Sequence, residues 1–175
     1  MDKRELKIDY STWHNSYPPG YEELCREAIK ASAHAYSVYS HFSVGAAVLL
    51  ENGEIITGSN QENAAYPSGM CAERTALFYA GAVRPEVAVK ALAIAATVEG
   101  TVREEFVPPC GACRQVMAEV IKRYDRDFEV IMVGSRETVV LRASALLPFA
   151  STATTPIEYV PSADGVHTHE SVFEF

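Results

Sequence analysis

Apolar residues recur at helical spacing in two segments of the chain, and each segment is expected to form an amphipathic helix. The first helix is predicted from about Pro18, because paired prolines suit a helix start. The second begins after Cys110, and a further helix is predicted over residues 71–83. The apolar faces consist of Tyr21, Leu24, Cys25, Ala28, Ile29 and Ala35 in the first helix, and of Cys113, Val116, Met117, Val120, Ile121 and Tyr124 in the second. Cys25 lies on such a face and is therefore predicted to be a core residue.

Five apolar runs outside these helices are predicted to be strands: residues 42–50, 55–58, 90–97, 128–133 and 138–141. The first two runs flank Asn52-Gly53, which favours a hairpin turn because both residues tolerate positive φ angles. Continuous apolar strands that alternate with helices are typical of a sheet covered on both faces. The pattern therefore predicts an α/β protein.

The whole chain, residues 1–175, is predicted to form a single domain, because its length suits one domain with a sizeable core. Residues 1–17 are polar with scattered aromatic side chains and are predicted to be a loose N-terminal arm. Residues 151–175 contain no lysine or arginine and are predicted to be an acidic tail, mobile or docked on the surface. Its histidines, His167 and His169, are predicted to be solvated rather than to bind metal.

The charge and the first residues of the chain narrow the classes of function. The net charge is −8 and no basic run is present, so phosphate backbones and anionic membranes repel the chain. We therefore expect no nucleic-acid partner and no membrane partner. The polar sequence after Met1 is unlike a secretory signal, which predicts a cytoplasmic protein. In that reducing compartment, the four cysteines are expected to be thiols or metal ligands rather than disulfides.

Cys110 and Cys113 form the sequence C-G-A-C directly after two prolines, at the predicted start of a helix. A C-x-x-C pair in this position fits two kinds of chemistry. It is typical of a redox dithiol, because a helix N-terminus lowers thiol pKa values, and equally of half a zinc site. The pair alone does not separate the two alternatives.

Cys71 favours the metal site, because it also opens a predicted helix and can point its thiolate at the same centre. Three protein ligands leave the fourth zinc position open, as in catalytic sites. Glu73 in the same first turn could accept a proton from a zinc-bound water without ligating the metal. Arg74 could hydrogen-bond the sulfurs and offset their excess negative charge. Taken alone, Glu73 would more readily be a surface acid favoured by the helix dipole, and Arg74 an ordinary solvated residue.

Three stretches, HFSVGAAVL, NQENAAYPSGMCAERTALF and PPCGACRQV, closely resemble the motifs of cytidine deaminases. The resemblance implies a three-layer α-β-α sandwich with a mixed five-stranded central sheet. It implies one Zn²⁺ per chain, held by Cys71, Cys110 and Cys113. It also implies hydrolytic deamination of cytidine and deoxycytidine, a reaction of pyrimidine salvage, in which zinc-bound hydroxide attacks C4 of the ring, Glu73 shuttles protons and ammonia leaves.

The resemblance further implies how a free pyrimidine nucleoside would bind. The backbone N–H of Ala72 matches the position that binds the base carbonyl, and Phe42 matches an aromatic residue that packs against the base. Asn60 and Glu62 match the pair that holds the ribose 3′-hydroxyl. A carboxylate at Glu62 would repel a sugar phosphate, which favours nucleosides over nucleotides and polymers.

Small family members with three cysteines are homotetramers, and the resemblance implies the same assembly here. Neighbouring subunits would then complete each site, with Tyr66 and Phe149 as candidate contributors. The chain departs from the family pattern at Pro108, where serine or threonine is common, and in the tail of about 26 residues after Phe149. If only the carbonyl of Pro108 faces the leaving ammonia, the replacement leaves the chemistry unchanged.

Three alternative functions remain open on the sequence alone. A blasticidin-type nucleoside-antibiotic deaminase uses the same scaffold, although the intact C-A-E-R-T-A and N-x-E-N sequences favour cytidine. A thioredoxin-like dithiol oxidoreductase would use Cys110 and Cys113 and would leave Cys71 and Glu73 without a role. A zinc-stabilised binding module would keep the metal but would have no use for Glu73.

Overall fold

The structure, a computed structural model, describes the main chain of residues 4–149 and 166–173 and the side chains of residues 8–147. Its α-helices are α1 (Glu22–Ser32), α2 (Ala72–Val83) and α3 (Gly111–Tyr124). Its strands are β1 (Arg4–His14), β2 (Ser43–Leu50), β3 (Ile55–Ser59), β4 (Val89–Val98), β5 (Thr101–Val102), β6 (Glu129–Val133), β7 (Glu137–Arg142) and β8 (Val166–Phe173). Short 3-10 helices cover Tyr66–Ser68 and Ala143–Phe149. No helix in the described part of the chain combines the length and the apolar character that a bilayer crossing needs.

The strands form one mixed sheet in the order β3-β2-β4-β6-β7-β1-β8, with β5 paired to the end of β4. β4 and β6 run parallel and the other neighbouring pairs are antiparallel. A parallel pair needs a crossover connection, and α3 provides it. The predicted α/β class, with a mixed sheet between helical layers, is confirmed. The predicted number of five strands is wrong, because β1, β5 and β8 also join the sheet.

Helix α1 covers one face of the sheet, and small residues line that face. Alternate alanines of β4, including Ala93, point toward the helix. Gly45 of β2 lies so close to α1 that an added Cβ would collide with the Ala28 carbonyl oxygen. The absence of larger side chains therefore allows the helix backbone to approach the sheet directly. Cys25 is fully buried on this face, which confirms the prediction that it is a core residue.

Helices α2 and α3 cover the opposite face, where β4 contributes the larger side chains of Leu92 and Ile94. Gly58 of β3 brings the first turn of α2 against the sheet. A Cβ added at Gly58 would lie 2.9 Å from the Ala72 carbonyl oxygen, too close for any larger residue without a shift of the helix. This contact fixes the N-terminus of α2, which directly follows Cys71.

The hairpin between β2 and β3 forms as predicted, but its backbone differs in one respect. Gly53 has a φ of 87°, whereas Asn52 is not among the residues with positive φ. The Asn52 side chain instead accepts a hydrogen bond from the Glu54 N–H at 3.0 Å. The turn therefore depends on the conformational freedom of the glycine and on the side chain of the asparagine.

Strand β1 occupies most of the segment that was predicted to be a loose arm. Residues 10–14 pair antiparallel with β7, and Tyr10 lies opposite Leu141. The interpretation of residues 1–17 as a loose arm is therefore wrong for Arg4–His14. A period-two signal of a strand was present in the alternation of Leu6, Ile8, Tyr10 and Thr12.

The acidic tail contributes β8, whose main chain pairs antiparallel with β1. His167 lies opposite Tyr10, and His169 lies opposite Ile8. For residues 166–173 this corresponds to a docked tail. The remaining residues between 150 and 175 lie outside the described part of the chain, as do the side chains of both histidines, so their predicted solvation stays a prediction.

Candidate metal centre and active site

The three cysteines that the sequence singles out lie together at the N-termini of α2 and α3. The sulfur of Cys110 is 3.8 Å from the sulfur of Cys71 and 3.4 Å from the sulfur of Cys113. All three sulfurs lie within 4.8 Å of one another, and no other group of potential metal ligands is found among the described residues. Cys113 is buried, Cys71 is half-buried and Cys110 is exposed, so the cluster opens to solvent on one side.

The spacing of the sulfurs fits a zinc ion. Tetrahedral coordination with Zn–S bonds of about 2.3 Å separates neighbouring sulfurs by roughly 3.8 Å. The two separations from the Cys110 sulfur, 3.8 Å and 3.4 Å, lie close to that value. The three sulfurs would fill three of the four tetrahedral positions around a bound ion, and the exposed side at Cys110 would leave the fourth accessible. The donor set and its geometry are therefore those of a catalytic rather than a structural zinc site.

Two helix starts place these sulfurs. Cys71 and Cys110 are the N-cap residues of α2 and α3, with extended backbones at φ −73°, ψ 154° and φ −66°, ψ 166°. Cys113 lies in the first turn of α3, so its sulfur reaches the same end of the helix. Both helices direct partial positive charge toward the sulfurs, which favours thiolates. Arg114 Nε donates a hydrogen bond to the Pro109 carbonyl at 3.0 Å and so fixes the chain just before Cys110.

Hydrogen bonds among the sulfurs shift the pKa values of the cysteines in opposite directions. The bond between the Cys110 and Cys113 side chains lowers the pKa of Cys110, and contact with Cys71 lowers it further. The same bond to Cys110 raises the pKa of Cys113. Arg74 Nη2 donates a hydrogen bond to the Cys71 sulfur at 3.6 Å, and this contact raises the pKa of Arg74. A permanent cation therefore lies against the cluster, and its role in tuning the charge of the sulfurs stays a prediction.

Glu73 is the buried acid beside the cluster, with 6 % of its surface exposed. Burial is the largest cause of a raised pKa at Glu73, and the negative charge of Cys110 raises it further. Hydrogen bonds from its own backbone N–H and from the Cys113 side chain act in the opposite direction. A carboxyl group with a raised pKa at an open metal position is well suited to take up and return protons.

Asn60 and Phe42 meet at the start of β2. The Val44 N–H donates a hydrogen bond to Asn60 Oδ1 at 2.7 Å, and Asn60 Nδ2 donates one to the Phe42 carbonyl at 2.9 Å. The guanidinium carbon of Arg103 lies 5.6 Å from the centroid of the Phe42 ring, within range of a cation–π contact. Asn60 therefore holds the main chain of Phe42, while the ring itself is only partly buried.

Glu62 is hydrogen-bonded to the loop that precedes β2. Its carboxylate accepts bonds from the Tyr39 N–H at 2.8 Å, from the Ser40 N–H at 3.3 Å and from the Ser40 hydroxyl. The hydroxyl is the largest cause of a lowered pKa at Glu62, and the Tyr39 N–H is the next. Glu62 is therefore ionised at neutral pH and acts only as an acceptor. Its role in binding a sugar hydroxyl stays a prediction.

The remaining predicted site residues have different surroundings. Ala72 is fully buried as the first residue of α2, where backbone N–H groups have no acceptor within the helix. Tyr66 is 92 % exposed, so its ring is available to another molecule. Phe149 ends the 3-10 helix Ala143–Phe149, but its side chain lies outside the described ones. The roles assigned to all three stay predictions.

Three residues near the site were missed by the sequence reasoning: Ser40, Arg103 and Arg114. Ser40 precedes Phe42 by two positions, which is the spacing of a side-chain-to-backbone turn and was a usable signal. Arg114 directly follows Cys113, but its contact with Pro109 depends on how the chain enters α3. Arg103 carries no local signal, because it meets Phe42 only through the pairing of β2, β4 and β5.

The three cysteine sulfurs and the buried carboxyl group at two helix N-termini fit the class of zinc-dependent deaminases. A family model described as the cytidine and deoxycytidylate deaminase zinc-binding region matches residues 19–124, more than half of the chain. The chain belongs to this family, and its cofactor is zinc, which Cys71, Cys110 and Cys113 are positioned to hold.

Individual relatives agree with the family model. The cytidine deaminase of Halalkalibacterium halodurans is 46 % identical over 132 residues, which are 74 % of this chain and 92 % of that protein. The cytidine deaminase of Sporosarcina psychrophila is 52 % identical over 100 residues, 56 % of this chain and 68 % of that protein. The crystal structure of the Burkholderia pseudomallei cytidine deaminase is similar with a TM-score of 0.61 at 38 % identity, covering 72 % of this chain and 94 % of that one. These similarities favour the deaminase over the dithiol oxidoreductase.

Proposed function

We propose that the protein hydrolyses the exocyclic amino group of cytidine and deoxycytidine, with uridine, deoxyuridine and ammonia as products in pyrimidine salvage. The observation that carries this proposal is the buried Glu73 beside three sulfurs that are placed to hold one metal ion. The 46 % identity to a cytidine deaminase over most of both chains supports the same substrate class.

The residues of the metal centre have separate roles in the reaction. When bound, zinc lowers the pKa of water and so supplies a nucleophile at neutral pH. Glu73 carries one proton of that water to N3 of the ring, where it stays in the product, and the other to the amino group, which leaves as ammonia. Arg74, hydrogen-bonded to the Cys71 sulfur, offsets part of the negative charge of the three thiolates.

The nucleoside would be held by groups from β2, the loop after β3 and the start of α2. Phe42 packs against the base, and the Ala72 N–H binds the base carbonyl. An amide nitrogen has two donor hydrogens, so Asn60 keeps one for the sugar after its bond to the Phe42 carbonyl. The ionised Glu62 accepts from the 3′-hydroxyl and repels a phosphate on the sugar. These groups favour free nucleosides over nucleotides.

An ultraviolet assay of nucleoside conversion tests this function. We expect cytidine and deoxycytidine to be converted, with loss of activity after treatment with a chelator and recovery after zinc is restored. For cytidine 3′-monophosphate, kcat/KM should be lower by about 100-fold or more, because its phosphate would lie against the Glu62 carboxylate and a close like-charge contact costs several kcal/mol. Faster turnover of the monophosphate, or of blasticidin S, would contradict the proposed substrate class.

We also infer that the protein acts as a homotetramer. Helix α2 exposes two large aromatic side chains, Phe78 and Tyr79, at 53 % and 58 % of their surface, and Tyr66 is still more exposed. Beside them, an apolar groove of about 670 Å³ lies between α2 and α3. A lone protomer would leave this apolar surface in water, whereas a second copy of the chain would cover it. Tyr66 would then reach the site of a neighbouring subunit.

Light scattering tests the assembly. The expected mass is about 76 kDa, four times the 19.1 kDa of one chain. Phe78→Glu places a charge in the apolar surface and should shift the protein toward smaller species. Lys30→Glu, an exposed substitution on the opposite helical layer, should leave the mass unchanged. A wild-type mass near that of one chain would contradict the inference.

A cytoplasmic site of action is part of the same proposal. The four cysteines of the chain are free thiols in the structure, and three of them must stay reduced to bind metal. A reducing compartment keeps thiols in that state. The substrates are accordingly expected to be the free nucleosides of the cytosol.

A further inference from the structure

Ser40 connects two parts of the substrate site. Its hydroxyl donates a hydrogen bond to Glu62 Oε1 and accepts one from the Phe42 N–H at 3.1 Å. The other carboxylate oxygen, Oε2, accepts from the N–H groups of Tyr39 and Ser40. One hydroxyl group therefore links the acceptor proposed for the sugar directly to the main chain that carries the ring proposed for the base.

The loop between Ser40 and Phe42 has a backbone conformation that other contacts must stabilise. His41 has a φ of 54°, in the left-handed region that residues other than glycine rarely adopt. Its N–H donates a hydrogen bond to the Ser37 carbonyl at 2.9 Å. Such a backbone persists only where surrounding contacts hold it. The bond from the Phe42 N–H to the Ser40 hydroxyl spans His41 and is one of these contacts.

The far side of the loop is fixed by the segment that carries Asn60 and Glu62. The Tyr36 N–H donates to the Asn60 carbonyl at 2.9 Å, and the Glu62 N–H donates to the Tyr36 carbonyl at 2.8 Å. Asn60 Nδ2 in turn holds the Phe42 carbonyl at 2.9 Å. The main chain on both sides is thus set by backbone pairing and by the Asn60 side chain. Between them, two backbone N–H groups hold one oxygen of the Glu62 carboxylate and the Ser40 hydroxyl holds the other.

We propose that Ser40 is a positioning residue, whose hydroxyl orients the Glu62 carboxylate toward the sugar 3′-hydroxyl while Phe42 holds the base. The inference rests on the proposed function, because it takes a nucleoside sugar to lie at Glu62. An ionised carboxylate offers about four acceptor positions. Three are filled by the chain, so the hydroxyl of Ser40 decides which direction remains for a ligand.

A comparison of two substrates distinguishes the positioning role of Ser40 from a general effect of the substitution on the fold. Ser40→Ala should lower kcat/KM for cytidine by about tenfold, mainly through KM, because a hydrogen bond to a charged group is lost. With 3′-deoxycytidine, which lacks the hydroxyl that Glu62 would bind, the loss should be at most about threefold. The zinc content of Ser40→Ala should equal that of the wild-type protein.

Ser37→Ala is the matched control, because it removes another hydroxyl from the same loop. The Ser37 hydroxyl is 2.9 Å from the Ser43 hydroxyl, so its removal should leave the ratio of the two substrates at the wild-type value. Ser40→Thr keeps a hydroxyl and should restore that ratio. Ser40→Cys keeps the size with a weak donor, and it provides the same comparison if Ser40→Ala does not fold.

The outcomes distinguish the inference from the function on which it rests. Equal losses with cytidine and 3′-deoxycytidine in Ser40→Ala or Ser40→Cys would overturn the positioning role of Ser40 while the wild-type protein still turns over cytidine. A wild-type protein that converts neither substrate would instead refute the proposed function.

Discussion

Glu73→Gln is expected to lower kcat for cytidine by about 10²–10⁴-fold or more, with zinc content and melting temperature close to the wild-type values. Glutamine has nearly the same shape but cannot take up or release the proton that the reaction must move. The site itself should survive, because Glu73 is not among the three sulfur ligands. Stability should hardly change, since the substitution replaces a buried ionisable group by a neutral amide.

The measurement is steady-state turnover of cytidine alongside zinc analysis of the same sample. Glu23→Gln is a matched control, because Glu23 lies in the first turn of α1 and the chemical change is identical. It should retain wild-type turnover. Activity within a few-fold of an active wild type in Glu73→Gln would remove Glu73 from the mechanism. Zinc-loaded wild type and variant that both fail to convert cytidine would instead favour a zinc-stabilised module without catalysis.

Cys110→Ala is expected to reduce zinc from about one ion per chain to nearly none, and to abolish turnover with it. The loss leaves two sulfurs, too few to compete with chelating buffers. Metal analysis and a competition titration with a chromogenic chelator measure the effect. Because ligand thiolates contribute to stability when metal is bound, the melting temperature should fall toward that of the chelated wild-type protein.

Cys25→Ala is the control for the removal of a thiol, because Cys25 is buried between α1 and the sheet and lies outside the cluster. It should keep zinc and turnover, although its melting temperature should drop through the loss of core packing. Full zinc content in Cys110→Ala would show that the ion is held elsewhere. A metal-free wild-type protein that reduces disulfides would revive the dithiol hypothesis.

Much of the fold could be predicted because local periodicity and core packing agree. The helix predicted over residues 71–83 is α2 (Ala72–Val83), and the strand predicted over residues 90–97 is β4 (Val89–Val98). The three cysteines could be assigned to one centre because two helix starts converge there. The helix and the strand rest on signals within a few residues, whereas the centre joins Cys71 to Cys110, 39 positions away, and is indicated by two separate helix starts.

Features that depend on distant pairing could not be predicted in the same way. The sheet gains β1 and β8 through pairing between the two ends of the chain, and the alternation within β1 indicates a strand without indicating which strands it pairs with. Glu62 was predicted as a ligand for the sugar, yet nothing in its neighbourhood in the sequence shows that Ser40, 22 positions away, already binds it. Arg103 likewise reaches Phe42 only after three strands have paired.

The two faces of β4 pack against different helical layers, and this affects which substitutions the enzyme can tolerate. Residues such as Ala93 meet α1, whereas the neighbouring Leu92 and Ile94 meet the layer that carries the thiolates. Mutational drift or deliberate redesign at such positions of β4 can therefore alter heat tolerance while the side chains that pack under the cysteine centre stay in place. The same freedom does not extend to Gly58, where even one extra methyl group would push the α2 layer away from the sheet.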